Sequence, residues 1–192
     1  HKVSLENRLA SLLHDLQGYF EESSDEIVGL AKDVTMHILD HTSAIKKLLL
    51  NSVCTKMKSE RIRIHGDYHL GQVLVNGDDF WLLDFEGEPE STIRDRKVKQ
   101  PPLKDVAGMF RSFHYAIYAT LFNNRDKYPY EQAELFQAGE VLCRYFVGVF
   151  LKTYTEVAQN GNLNIGYKQE TDFLLKYCIL EKAVYELGYE LN

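Results

Sequence analysis

The chain has 192 residues, of which 45% are hydrophobic, and its 22 Lys and Arg stand against 28 Asp and Glu for a formal net charge of -6. That size supports one well-cored domain rather than two. The acidic balance excludes nucleic acid and anionic membrane as principal partners, because both are bound through basic surface.

The opening His1-Lys2-Val3-Ser4 lacks the apolar stretch of a signal peptide; there is no initiator Met and an apolar helical pattern begins almost at once, so the sequence reads as a piece of a longer polypeptide. Ser4 is a plausible N-cap, and Leu5, Leu9, Leu12, Leu13, Leu16 and Phe20 follow the spacing of a core-facing helix. After a Glu-Glu-Ser-Ser-Asp break, a second helical stretch runs over about residues 26–50, with Ile27, Leu30, Ala31, Val34, Ile38 and Ile45 on one side. His37 and His41 stand at i, i+4 within it, but no intervening Glu of an HExxH motif and no third ligand accompany them, so they read as a helix-surface pair. Cys54, Cys143 and Cys178 are odd in number and lack CxxC spacing, which fits a reducing cytoplasm. No apolar run approaches the roughly 20 residues that a spanning helix needs. The reading is a soluble cytoplasmic protein.

From Arg61 the pattern changes to a period of two in Arg-Ile-Arg-Ile, and the segments Gln72–Val75 and Phe80–Phe85 are short and β-rich. Asn76-Gly77 between them predicts a hairpin turn, since both residues tolerate positive φ. Residues 86–102 hold most of the prolines and many charges, including the basic run Arg94, Arg96, Lys97 and Lys99, and read as a long solvated loop. Helical patterns return over 103–121, from 131 to about 157, and from 171 to the end, with Gly161 and Gly166 as breaks. The fold class is α+β, mostly helical, with a small central β-hairpin.

The hairpin organises the chemistry. Strand one leaves the turn that holds Asp67 and strand two returns to end at Asp84, so two carboxylates and the Gln72 amide lie at one end. Two carboxylates and an amide oxygen are hard donors that can bind magnesium and orient a hydroxyl.

The stretch His65-Gly66-Asp67-Tyr68-His69 followed by Gln72 resembles the catalytic loop of aminoglycoside-phosphotransferase-like kinases, and Asp84-Phe85-Glu86 resembles their metal-binding motif. More narrowly, HGDYHLGQVL, LLDFEGEPE, PLKDVAGMFRSFHYA and the terminal LEKAVYELGYELN are similar to maltokinases, which are often fused behind trehalose synthase. The resemblance implies a protein-kinase-like C-lobe and the reaction of maltose with ATP to give maltose 1-phosphate and ADP. It implies Asp67 as the base, with Gln72 and Asp84 holding Mg2+ against the ATP phosphates. Gln72 replaces the Asn usual in the broader superfamily and Glu86 adds a carboxylate, both at home in maltokinases. His69, Glu86, Lys182, Tyr185, Glu186 and Tyr189 have the chemistry to grip a sugar, the last four on one helical stripe, while His65 and Asp105 read as structural support. The lobe then divides into a helical segment (1–58), the catalytic loop, hairpin and metal-binding loop (60–102) and a helical subdomain (103–192).

No glycine-rich phosphate loop and no N-lobe lysine strand is recognisable, so an N-lobe in the parent chain is expected as partner, with the fragment inactive without it. Two other readings are a non-catalytic sugar-binding or scaffolding module of a trehalose-metabolising enzyme, and another small-molecule kinase acting on a different sugar or an amino alcohol such as choline. The retained Asp67, Gln72 and Asp84 favour an enzyme over a binding module, which has no need of all three.

Overall fold

The structure, a computed structural model, describes residues 2–22, 36–51, 57–89, 91–124, 127 and 132–190. The chain divides into two compact units, His1–Lys56 with Leu180–Asn192, and Met57–Ile179. In the first unit, helix α1 (Lys2–Glu22) buries Leu9, Leu12, Leu13 and Leu16, the i, i+3, i+4, i+7 stripe of the sequence, and packs on α2 (Thr42–Asn51). The side chains of Leu5 and Phe20 lie outside those described, as do Ile27, Leu30, Ala31 and Val34 of the predicted second helix. Residues 36–40 are helical and a turn at His41 separates them from α2. The His37 and His41 rings lie 4.1 Å apart and tilted by 34°, and His41 Nδ1 donates to the His37 carbonyl at 2.8 Å.

The second unit is built on three helices and carries the hairpin. Pro101-Pro102 precede α4 (Leu103–Asn123), where a fixed φ pre-organises the first turn. Leu103, Val106, Ala107 and Phe110 on one face of α4 are buried with Leu174, Leu175 and Cys178 of α6 (Lys168–Glu190). From α5 (Gln132–Asn160), Val147, Phe150, Leu151 and Tyr154 close over this cluster, and Phe110 meets Phe150 edge-on. Each of the buried Leu, Val and Phe side chains stabilises the unit by about 1.5–3 kcal/mol, which makes α4 the fixed platform for whatever packs on it. Helix α5 ends in an αL residue at Asn162, φ 55°, with the Leu163 amide donating back to the Ala158 carbonyl at 2.8 Å.

The hairpin pairs β1 (Val73–Asn76) with β2 (Asp79–Leu82), and its register puts Asn76 opposite Asp79. The two central turn residues are therefore Gly77 and Asp78, one position later than Asn76-Gly77, with Gly77 at φ 63° taking the position that a type II′ turn reserves for glycine. Strand β2 also stops at Leu82, short of the predicted Phe85, because Asp84 turns the backbone into the left-handed region at φ 58°. The period-two Arg61–Ile64 stretch gives only an isolated bridge, Ile62 with Gln100. The loop after the hairpin holds a short helix, α3 (Ile93–Lys97), which the sequence reading missed; Thr92 caps it by accepting the Asp95 amide at 3.2 Å. Within the basic run Arg96 is half-buried rather than solvated, and its guanidinium donates to the carbonyls of Ser91 and Pro89. No helix among the described residues is long and apolar enough to cross a membrane.

Candidate active site

One face of α4 holds the loop that carries Asp67. The Asp105 carboxylate accepts the His65 amide at 2.7 Å and the Gly66 amide at 2.9 Å, and one and two turns on, Gly108 and Ser112 continue the same stripe. Ser112 Oγ accepts the Leu70 amide at 3.0 Å, and a Cβ on Gly108 would stand 2.7 Å from the Tyr68 carbonyl oxygen. Three positions of one helix thus fix the backbone of residues 65–70. Burial pushes the Asp105 carboxyl above the usual carboxylate range, against the Gly66 and His65 amides and the nearby His65 and Lys104, which pull it down.

An alanine normally improves a helix interior over glycine by about 1 kcal/mol. At Gly108 the sign should reverse, because the new methyl meets a backbone oxygen that cannot swing aside. Gly108→Ala is expected to lower stability by about 1–3 kcal/mol, read as a lower urea midpoint at unchanged m-value.

His65 joins this loop to the next one. Its buried ring donates from Nε2 to the Leu83 carbonyl at 2.6 Å, which leaves Nδ1 to accept the Asp67 amide at 3.4 Å. Tyr68 and Phe85 flank the ring at 5.5 Å and 4.9 Å. The two loops also touch backbone to backbone, since a Cβ on Gly66 (φ 88°) would lie 3.1 Å from Gly87 Cα. His65 therefore locks the Asp67 loop to the Asp84 loop through one neutral tautomer.

At the base of the hairpin the Leu83 amide donates to the Gln72 carbonyl at 2.9 Å, and the Gln72 side-chain amide donates to Asp84 Oδ2 at 3.2 Å. Asp67 is one-fifth exposed, with His69 Nε2 at 3.8 Å from its Oδ2. Glu86 lies exposed just past Asp84. Of the helical stripe, Lys182, Tyr185 and Glu186 belong to the first unit, where the Lys182 ammonium sits 4.9 Å over the Tyr185 ring. The side chain of Tyr189 lies outside those described. Two site-forming residues escaped the sequence reading, Gly108 and Ser112; a glycine and a serine in step with Asp105 on an apolar helix are the signal that could have found them.

No family model matches. A glucosamine kinase of Streptacidiphilus jiangxiensis is 34% identical over 68 residues, 35% of this chain and 16% of that protein. A glucosamine kinase of Mycolicibacterium smegmatis (strain ATCC 700084 / mc(2)155) is 45% identical over 56 residues, 29% of this chain and 14% of that protein. The solved structure of a glucosamine kinase in complex with glucosamine, ADP and inorganic phosphate superposes on 100% of this chain and 44% of its own, with a TM-score of 0.67 at 19% identity. A further crystal form of glucosamine kinase gives 0.66 at 18% identity, over 100% and 43%.

This chain has the fold of that part of the glucosamine kinases, and it spans less than half the length of the structures that it matches. The likeness corrects the resemblance to maltokinases. A mostly helical chain with a small hairpin is here a glucosamine-kinase-like fold and not the protein-kinase-like C-lobe expected. Maltose as acceptor, maltose 1-phosphate as product and fusion to trehalose synthase fall with it, since the relatives found are glucosamine kinases. The physical reason is that HGDYHLGQVL and LLDFEGEPE place two carboxylates and an amide at one end of a hairpin, and carry no information on an acceptor.

Proposed function

We propose that this chain is the acceptor-side part of an ATP-dependent kinase that phosphorylates a sugar hydroxyl, with an amino sugar of the glucosamine class as substrate. The observation that carries the reading is the convergence of the Asp67 loop with the Gln72–Asp84 pair at one end of the hairpin, locked by His65. The glucosamine-kinase relatives supply the class of acceptor, and the ADP in the solved complex supports ATP as the donor.

In this reading Asp67 accepts the proton of the attacking sugar hydroxyl and holds that oxygen facing the phosphoryl group. Asp84 and Gln72 would hold magnesium through a carboxylate and, once the amide presents Oε1, an amide oxygen. A metal held there would supply positive charge against the phosphates. Glu86, which follows Asp84 at the base of the hairpin, is assigned to the acceptor. A carboxylate such as Glu86 suits an ammonium-bearing sugar better than a neutral one.

The hairpin fits a larger enzyme. Val75, Phe80 and Trp81 are 74%, 64% and 59% exposed on two paired strands, whereas an apolar hairpin in a complete protein is ordinarily covered. We assign that cover to a nucleotide-binding lobe within the rest of the parent protein. The test is ADP release by the full-length protein with glucosamine, beside glucose, maltose and choline. Release dependent on glucosamine is expected, and release with choline or maltose alone would reject the assignment.

A further inference from the structure

Helix α5 is apolar on two opposite faces. Val147, Phe150, Leu151 and Tyr154 turn one face toward the cluster on α4 and α6. The other face carries Ala138, Val141, Tyr145, Gly148 and Val149 in step with the helical period, and all five are exposed, with Val141 at 64%, Tyr145 at 65% and Val149 at 48%. A surface helix turns charged and polar residues to water on the face away from its core, so a second apolar stripe marks a surface that another element covers.

An opposite charge closes the stripe at each end. Glu134 and Lys152 stand about five helical turns apart, on the same line as the apolar residues. Both are exposed, and among the described residues neither forms an ion pair.

We propose that this face binds a second copy of the chain, as an antiparallel pair of α5 helices about a two-fold axis at the level of Cys143. In that register Glu134 faces Lys152 of the partner subunit, Val141 faces the partner's Tyr145, and Ala138 faces the partner's Gly148, and the two-fold repeats each contact. The small side of Ala138 and Gly148 lets the helices approach closely, and a Cβ on Gly148 would meet nothing within 4 Å, so that space is open to a neighbour. A parallel pair would set Glu134 against Glu134 and Lys152 against Lys152. A partner of uniform charge would satisfy one end of the stripe and be repelled at the other. A surface whose charges run in the reverse order satisfies both ends, and α5 turned end for end is such a surface. Its dipole is then also opposed to that of its mate.

The association does not depend on the kinase reading, because it is read as mass. One helix pair is a small interface, for which a dissociation constant on the order of micromolar is expected. Sedimentation equilibrium of the full-length protein at about 100 μM should therefore give the mass of a dimer. Val141→Asp buries an unpaired charge at the centre of the contact while leaving the monomer core untouched, and should raise the dissociation constant about tenfold or more, with the urea midpoint of dilute protein unchanged. Glu134→Lys and Lys152→Glu each create two like-charge contacts per dimer and should each raise it by about three- to tenfold; the double variant exchanges the charges and should return to within about twofold of wild type.

A full-length protein that is monomeric at about 100 μM overturns the proposal and leaves this face to the rest of the parent chain. A dimer that Val141→Asp leaves intact also overturns it, because that dimer pairs through another surface. A double charge variant as weak as either single variant overturns the antiparallel register.

Discussion

Asp67→Asn is expected to lower kcat of the full-length protein by about 10²–10⁴-fold, or roughly 3–5 kcal/mol of transition-state stabilisation. The substitution is isosteric and keeps the Asp67 amide that donates to His65 Nδ1 at 3.4 Å, so the loop retains its course. What it removes is an atom that can take a proton. KM should change little, since the amide still offers an oxygen to the ground-state hydroxyl. Phosphoryl transfer proceeds through a loose transition state, so positioning supplies much of the rate and the loss is expected toward the lower end of that range. Near-normal turnover in a variant with an unchanged urea midpoint would remove Asp67 from the role of base.

How much of this site is legible in the sequence depends on whether the information is local. The hairpin is local: Gly77 supplies a positive φ and the flanking β-rich runs do the rest, although the turn centres one residue later than the Asn-Gly pair suggests. The stripe Leu9, Leu12, Leu13, Leu16 and the apolar face of α4 are equally local, being readable from the period of 3.6. The loop's attachment is not. Asp105 lies 40 residues from His65, and its role as a double acceptor for two successive amides emerges only once α4 lies beneath the loop. Gly108 is of the same kind, because a helical glycine reads as a weakness until a carbonyl oxygen is seen against it. The short helix α3 is legible in Thr92 and Asp95, which form the S/T-x-x-D/E pattern of a helix start, but the surrounding prolines and charges carry the signature of a loop. The acceptor was never legible. In the proposed reading the motif residues serve the hydroxyl and the phosphates, which a maltose kinase and a glucosamine kinase share.

The largest expected effect on stability is at Asp105. Asp105→Ala leaves the His65 and Gly66 amides without their acceptor in a half-buried site, and is expected to cost about 2–4 kcal/mol given the strength of hydrogen bonds to a charged group. Marginal stabilities of about 5–15 kcal/mol make that a large fraction, readable as a lower urea midpoint. Asp105→Asn retains one acceptor oxygen and turns an N–H toward the other amide, so its loss should be smaller.

The pH dependence at Asp105 runs opposite to that of an ordinary paired carboxylate. Burial raises its folded pKa over the opposing pull of the two amides, His65 and Lys104, while Tyr68 and Tyr154 are the other titratable groups that feel its charge. Between the unfolded value of about 4 and that higher folded value, the folded state binds more protons at this site than the unfolded one. Stability contributed by the titration of Asp105 is therefore fully present below that window and is lost as pH rises through it. The advantage of wild type over Asp105→Asn should be greatest at the acid end and shrink on the way to neutrality. An advantage that grows with rising pH would mean that the amides outweigh burial, and that Asp105 is held ionised by the loop it supports.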